Sequence, residues 1–152
     1  MRLRNLAIAV LAVAVATPLI AAATPADAVR TRVSGLRELG AAFKSVNDAL
    51  RSPTPQTMLI QISARQISGA ARAQYNWFPA GSGPQAGLKT AAKPAIWGQS
   101  ARFKQAQDAF ATQATAFQRA AQGGNMDLVR AEARKLGQTC KGCHDTFRNE
   151  SK

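Results

Sequence analysis

Cys140-Lys141-Gly142-Cys143-His144, eight residues from the end of a 152-residue chain, reads C-x-x-C-H, the attachment signature of a c-type haem. Each cysteine can add its sulfur across a haem vinyl group. The adjacent histidine is then held under the iron as an axial ligand. Positions i, i+3 and i+4 share one face of a helix, so the spacing suits helical backbone. The chain has two cysteines and one histidine, and all three are in this stretch. A redox dithiol usually sits in a βαβ context, which the surrounding sequence lacks. A zinc site needs about four ligands where this cluster offers three. A structural disulfide stays open for an exported chain.

The residues before the motif repeat its helical spacing. Val129, Ala133, Leu136, Cys140, Cys143 and Phe147 follow a four-three-four-three-four pattern, which predicts a helix over 126–149 with both cysteines on its inner stripe. Gly123-Gly124-Asn125 stops the preceding helix, and Asn125 is a good N-cap for this one. That preceding helix is expected over 94–122. Its Phe103, Phe110 and Phe117 recur every seven residues with Ala106 and Ala114 between them, a bundle seam of alternating large and small residues.

Upstream lies an irregular stretch over 80–93, rich in Gly and Pro, of the kind that is often functional in compact domains. Before it, Ile60, Ala64, Ile67 and Ala71 mark the inner face of a helix over 55–77, with Thr54 as its expected N-cap and Pro55 as its first residue. Val33, Leu36, Leu39, Phe43, Val46 and Leu50 predict a first helix over 27–51. Few β-branched residues and much Ala and Gln agree with an all-α chain. Short links favour an antiparallel, up-down-up-down four-helix bundle with the haem between its helices.

The N-terminus reads as a targeting segment. Arg2 and Arg4 precede an apolar run from Leu6 to Ile20, broken only by Thr17 and Pro18. Ala21-Ala22-Ala23 supplies small residues for cleavage, with Ala26-Asp27-Ala28 as a second candidate. The expectation is a signal peptide over 1–23 and a mature domain over 24–152, periplasmic and without stable membrane insertion. The apolar run is short and rich in small residues for a retained anchor. The formal charge of +12 becomes +10 once Arg2 and Arg4 are removed, with 18 basic residues against 8 acidic. The positive residues are scattered among Ala and Gln rather than gathered in a run. This argues against nucleic acid as a partner and for a solvated surface that steers acidic partners.

Four helices with C-x-x-C-H near the C-terminus resemble cytochrome c′, the high-spin branch of the class II c-type cytochromes. Class I members carry the motif near the N-terminus. Arg32-Val33-Ser34-Gly35-Leu36-Arg37-Glu38-Leu39-Gly40 is similar to the family's R-x-x-x-L/Y/F/M-x-x-x-G/A pattern. That resemblance implies that Arg32 meets a haem propionate and that Leu36, with Val33 beside it, covers the distal face of the iron. Lys93-Pro94-Ala95-Ile96-Trp97 resembles the start of the family's third helix. Phe103 and Phe110 match aromatic positions against the haem. Cys140 to Arg148 matches the family's C-terminus, with His144 as axial iron ligand, thioethers at Cys140 and Cys143, and Arg148 on the proximal side. The stretch 80–90 departs from the family by its length, which leaves its haem contacts open.

What the resemblance implies is one covalent haem c with five-coordinate iron, nitric oxide and carbon monoxide as ligands, and electron exchange with an unidentified redox protein. It also implies no catalytic residues and a homodimer through the first two helices. An apolar cap offers no hydrogen bond to polarised dioxygen and so favours the less polar diatomics. Exclusion supports an open sixth position. No second His exists. Met126 lies 18 residues before His144, roughly 27 Å along one helix. Met58 and Lys44 are also distant, by about 20 Å and 12 Å, and Tyr75 alone stays open as a second ligand. Two rivals remain: a low-spin, six-coordinate electron carrier of the same fold, and a haem enzyme such as a peroxidase, which lacks a distal acid–base here.

Overall fold

Thr24 opens the first helix of the computed structural model, which describes residues 24–150. The expected signal peptide, residues 1–23, lies outside the described residues. Helix α1 runs Pro25–Arg51. Its N-terminus is closed by a capping box, in which Thr24 Oγ1 accepts from Asp27 N at 3.2 Å and Asp27 Oδ2 accepts from Thr24 N at 2.9 Å. Helix α2 runs Thr57–Ala73 and ends in a 3-10 turn, Gln74–Asn76. Helices α3 (Ala95–Gly98), α4 (Ser100–Gly123) and α5 (Met126–Phe147) follow. No β-strand is formed among the described residues; a single antiparallel bridge joins Ala92 to Arg148.

The bundle is formed by α1, α2, α4 and α5, with α1 against α2, α2 against α4 and α4 against α5. Only a narrow contact joins α1 to α5, and the cleft described below opens there. The main core takes Val46 from α1, Ile60 and Ile67 from α2, Phe110 and Phe117 from α4, and Val129 and Leu136 from α5. These are the inner stripes that the sequence spacing predicts. A second, smaller cluster of Ala92, Ile96, Phe103 and Phe147, with Phe78 and Trp97 packed against it, closes one end of the bundle. Its rings meet edge to face, Phe78 with Phe103 at 4.9 Å and Phe103 with Phe147 at 5.1 Å between centroids.

Several element boundaries differ from expectation, each for a local reason. The helix expected over 94–122 is interrupted at Gln99, whose φ of −124° and ψ of 48° leave helical space. The break turns α3 back over the loop, where Trp97 Nε1 donates to the Pro79 carbonyl at 3.0 Å. Thr54 does not cap α2: Ser52 Oγ engages both its N–H and its carbonyl in a local turn, and Gln56 takes the cap position without a side-chain bond. Helix α5 stops at Phe147 rather than 149, because Lys93 N takes the Phe147 carbonyl at 2.9 Å and Asn149 N donates to the Ala91 carbonyl at 2.8 Å. Asn125 caps α5 as expected, accepting from Asp127 N and Leu128 N.

Candidate functional site

The two cysteines of the motif lie in the last turns of α5 and face different parts of the interior. Cys140 packs against the main core, and Cys143 against the smaller end cluster. A group bonded to both would therefore span the boundary between the two clusters. Burial pushes the Cys140 thiol up to about 11, aided by the neighbouring Cys143, and raises Cys143 as well. Both thiols are thus protonated apolar groups at neutral pH, free of any disulfide, and weak nucleophiles until activated. His144 is pushed the other way. Desolvation first, then the Arg148 charge, lower its pKa against an opposing contribution from Asp145. At neutral pH this favours the unprotonated imidazole, the form that binds metal.

One cleft joins these residues to α1. Arg32, Val33 and Leu36 line it from α1, and Cys143, His144, Phe147 and Arg148 from the end of α5. Phe103 and Ile96 close its end, and Phe78 and the segment Thr90–Ala92 come from the long loop. Leu36 and His144 thus border the same space from opposite helices. Leu36 is 40% exposed, which is high for a leucine on an inner stripe and reflects its position on an open cleft. Phe110 does not line this space. It is buried in the main core on which Cys140 packs.

Arg32 is 2% exposed. Nη1 donates to Ser82 Oγ at 3.1 Å and the Trp77 carbonyl at 3.3 Å, and Nη2 to the Ser82 carbonyl and Thr90 Oγ1, both at 3.0 Å. The Phe78 ring lies 5.0 Å from the guanidinium carbon. The long loop is therefore folded around this side chain. Arg148 N closes the helix on the His144 carbonyl at 3.0 Å, and its side chain borders both the cleft and a polar hollow on the far side of His144.

Gln74, Phe78 and Thr90 are site residues that the sequence reading did not single out. Gln74 carried a signal: it continues the Ile60, Ala64, Ile67, Ala71 stripe by one step and is polar. Its Nε2 donates to the Ala71 carbonyl at 3.4 Å and the Gln107 carbonyl at 3.3 Å, while Gln107 Nε2 returns a bond to the Gln74 carbonyl. Both amide protons are committed, so Gln74 presents no donor to the cleft. Thr90 carried no signal, because only the folded loop brings it to Arg32. The other candidate iron ligands do not reach the cleft. Tyr75 donates its hydroxyl to Asp108 at 2.7 Å on the outer surface, Met58 is 73% exposed, Lys44 pairs with Asp48, and Met126 packs on the main core. No carboxylate lines the cleft among the described residues.

Comparison with known proteins gives the family. The family model described as Cytochrome C' matches residues 27–148. The chain is 39% identical over 70 residues to the cytochrome c′ of Rubrivivax gelatinosus, a match covering 46% of this chain and 54% of that protein. The chain thus spans about half the length of that relative. It is 31% identical over 114 residues to the cytochrome c′ of Pararhodospirillum photometricum, covering 74% of this chain and 89% of that protein. The fold is similar to a nitric oxide complex of a leucine variant of cytochrome c prime from Alcaligenes xylosoxidans, with a TM-score of 0.76 and 28% identity over 84% of this chain and 98% of that one. The chain belongs to the cytochrome c′ family, whose members are haem c proteins.

Proposed function

We propose that this chain is an exported haem protein with one haem c, a five-coordinate iron and no catalytic residues, which binds nitric oxide and carbon monoxide and exchanges electrons with a partner protein. The observation that carries this reading is the shared cleft, with His144 on one wall and Leu36, which cannot donate to iron, on the other. Bound there, the haem supplies a redox-active iron with a position for a diatomic ligand. The residues present fit it in chemistry: two protonated thiols on the inner stripe of α5, an unprotonated imidazole one residue later, apolar walls from Phe78, Ile96, Phe103 and Phe147, and the buried cation of Arg32 for a propionate.

The chain's own part is to place these groups and to keep donors away from the distal space. Leu36 and Val33 exclude water, and Gln74 withholds its amide protons in the latch with Gln107. Absence of a distal donor favours diatomics that need no hydrogen bond. The missing carboxylate and second histidine speak against the peroxidase reading, and the placement of Tyr75 and both methionines speaks against the six-coordinate one. Arg148, one turn past His144, is the proximal cation.

Export through a signal peptide removed after Ala23 is supported by the α1 capping box, which cleavage after Ala28 would delete. No helix among the described residues is long and apolar enough to cross a membrane. A homodimer through α1 and α2 is supported by apolar side chains on the outer surface of α2, Met58, Leu59 and Ile62. Mass spectrometry of the exported protein tests the reading. One haem should remain bound to the mature chain after acid–acetone extraction, and a chain stripped to its bare mass would refute it.

A further inference from the structure

Gln74 ends α2 and is the residue by which that helix reaches the cleft. Helix α2 packs on α1 and α4, so it stands diagonally across the bundle from α5. Gln74 thus borders the cleft on the side opposite His144, next to Leu36.

A carboxamide has two ends of opposite sense: the nitrogen only donates and the oxygen only accepts. The neighbours fix which end points where. Nε2 lies 3.4 Å from the Ala71 carbonyl and 3.3 Å from the Gln107 carbonyl. Turning the amide over would set its oxygen against two carbonyl oxygens. Gln107 Nε2 returns a bond to the Gln74 carbonyl at 3.3 Å, which clamps the turn from α4. Oε1 is therefore the uncommitted end, with no donor to it among the described residues. Among those residues every fully buried side-chain nitrogen or oxygen has a partner. An unpartnered Oε1 must then face open space, and the open space that Gln74 lines is the cleft. Its neighbours there are the apolar Val33, Leu36, Phe78 and Phe103. In such surroundings one fixed carbonyl dipole sets the local polarity, and the low dielectric strengthens its field.

We infer that Gln74 is a specificity-determining residue: Oε1 turns the negative end of its dipole on the outer atom of a diatomic bound over His144. This rests on the haem reading given above. The effect is a repulsion, which goes beyond the lack of a distal donor. A ligand whose bound form gathers negative charge on its outer atom, as dioxygen does, is disfavoured. A less polar one, such as carbon monoxide, is spared. Selectivity of this kind comes from an element built against the wrong partner.

The test uses haem-loaded ferrous protein. Haem content and carbon monoxide binding are established first, from absorption spectra, so that a failure of the haem reading is told apart from a failure of this inference. The C–O stretch of the carbonyl complex then reads the charge at the outer atom, because a negative dipole there opposes back-donation from iron and raises the frequency. Gln74→Leu, which keeps the bulk and removes the dipole, should lower it. Tyr75→Phe alters the next residue on the outer surface, where the hydroxyl meets Asp108, and should leave the frequency in place. An unchanged or raised frequency in Gln74→Leu, or an equal fall in Tyr75→Phe, overturns the inference. Should Gln74→Leu not accumulate, a crystal structure of the unmodified carbonyl complex decides. Nε2 still bonded to both backbone carbonyls, with Oε1 toward the ligand, supports the inference. An amide nitrogen turned to the ligand, or a side chain turned out of the cleft, overturns it.

Discussion

The indole of Trp77 lies directly on the backbone of α1 at Gly35: a Cβ there would stand 2.6 Å from Cη2 and 2.9 Å from Cε2 of the ring. Only glycine permits this approach. It places the Trp77 carbonyl within reach of Arg32, one turn earlier on the same helix, and so ties the loop to the cleft. Gly35→Ala should push the ring away and destabilise the fold by about 1–3 kcal/mol, the range for overpacking, visible as a lower Tm. Wild-type stability in this variant would show that the ring moves freely.

Stability should also depend on one carboxylate far from the cleft. Hydrogen bonds from Lys135 first and Gln113 second hold the Glu132 carboxyl below its ordinary value of 4.5, and the Gln113 bond, at 2.6 Å, joins α4 to α5. A depressed carboxyl favours the folded state above the unfolded pKa, and the contribution is lost as pH falls from 4.5 through the lower folded value. Glu132→Gln should therefore cost on the order of 1 kcal/mol at neutral pH and almost nothing at the acid end of that window. Denaturant melts across the range check this; a pH-independent difference contradicts it.

The mature N-terminus should be Thr24. Its reciprocal bonds with Asp27 close the first turn of α1, and caps of this kind contribute about 1 kcal/mol. N-terminal sequencing of the exported protein checks the expectation, and a chain beginning at Val29 contradicts it.

The bundle was legible in the sequence because its helices bury continuous stripes: Ile60, Ala64, Ile67 and Ala71 in α2, and Val129, Ala133 and Leu136 in α5, recur at threes and fours. The motif was legible because Cys140, Cys143 and His144 are covalently spaced for their chemistry. The loop between Trp77 and Ala95 was not. Its structure is dictated by one distant guanidinium, whose bonds to Ser82 and Thr90 span 50 and 58 residues of sequence, and no local pattern encodes such pairings. The same holds for the end of α5, which the Ala91–Lys93 segment terminates from outside. The break at Gln99 was hidden because the apolar spacing runs on through it. Phe110 was placed against the haem by resemblance to the family, while its seven-residue spacing read as bundle seam; its ring is buried in the main core on which Cys140 packs.

Leu36→Met should convert the iron to a six-coordinate, low-spin state by placing a thioether where leucine now faces His144 across the cleft. Loss of the high-spin absorption bands in the variant checks this. An unchanged spectrum would show that residue 36 does not reach the iron.

The central claim, a covalently held haem with an open sixth position over His144, is tested most directly by the absorption spectrum of the purified ferrous protein before and after carbon monoxide. The account predicts high-spin bands that shift on adding the gas. A low-spin, six-coordinate spectrum that carbon monoxide leaves unaltered would contradict it.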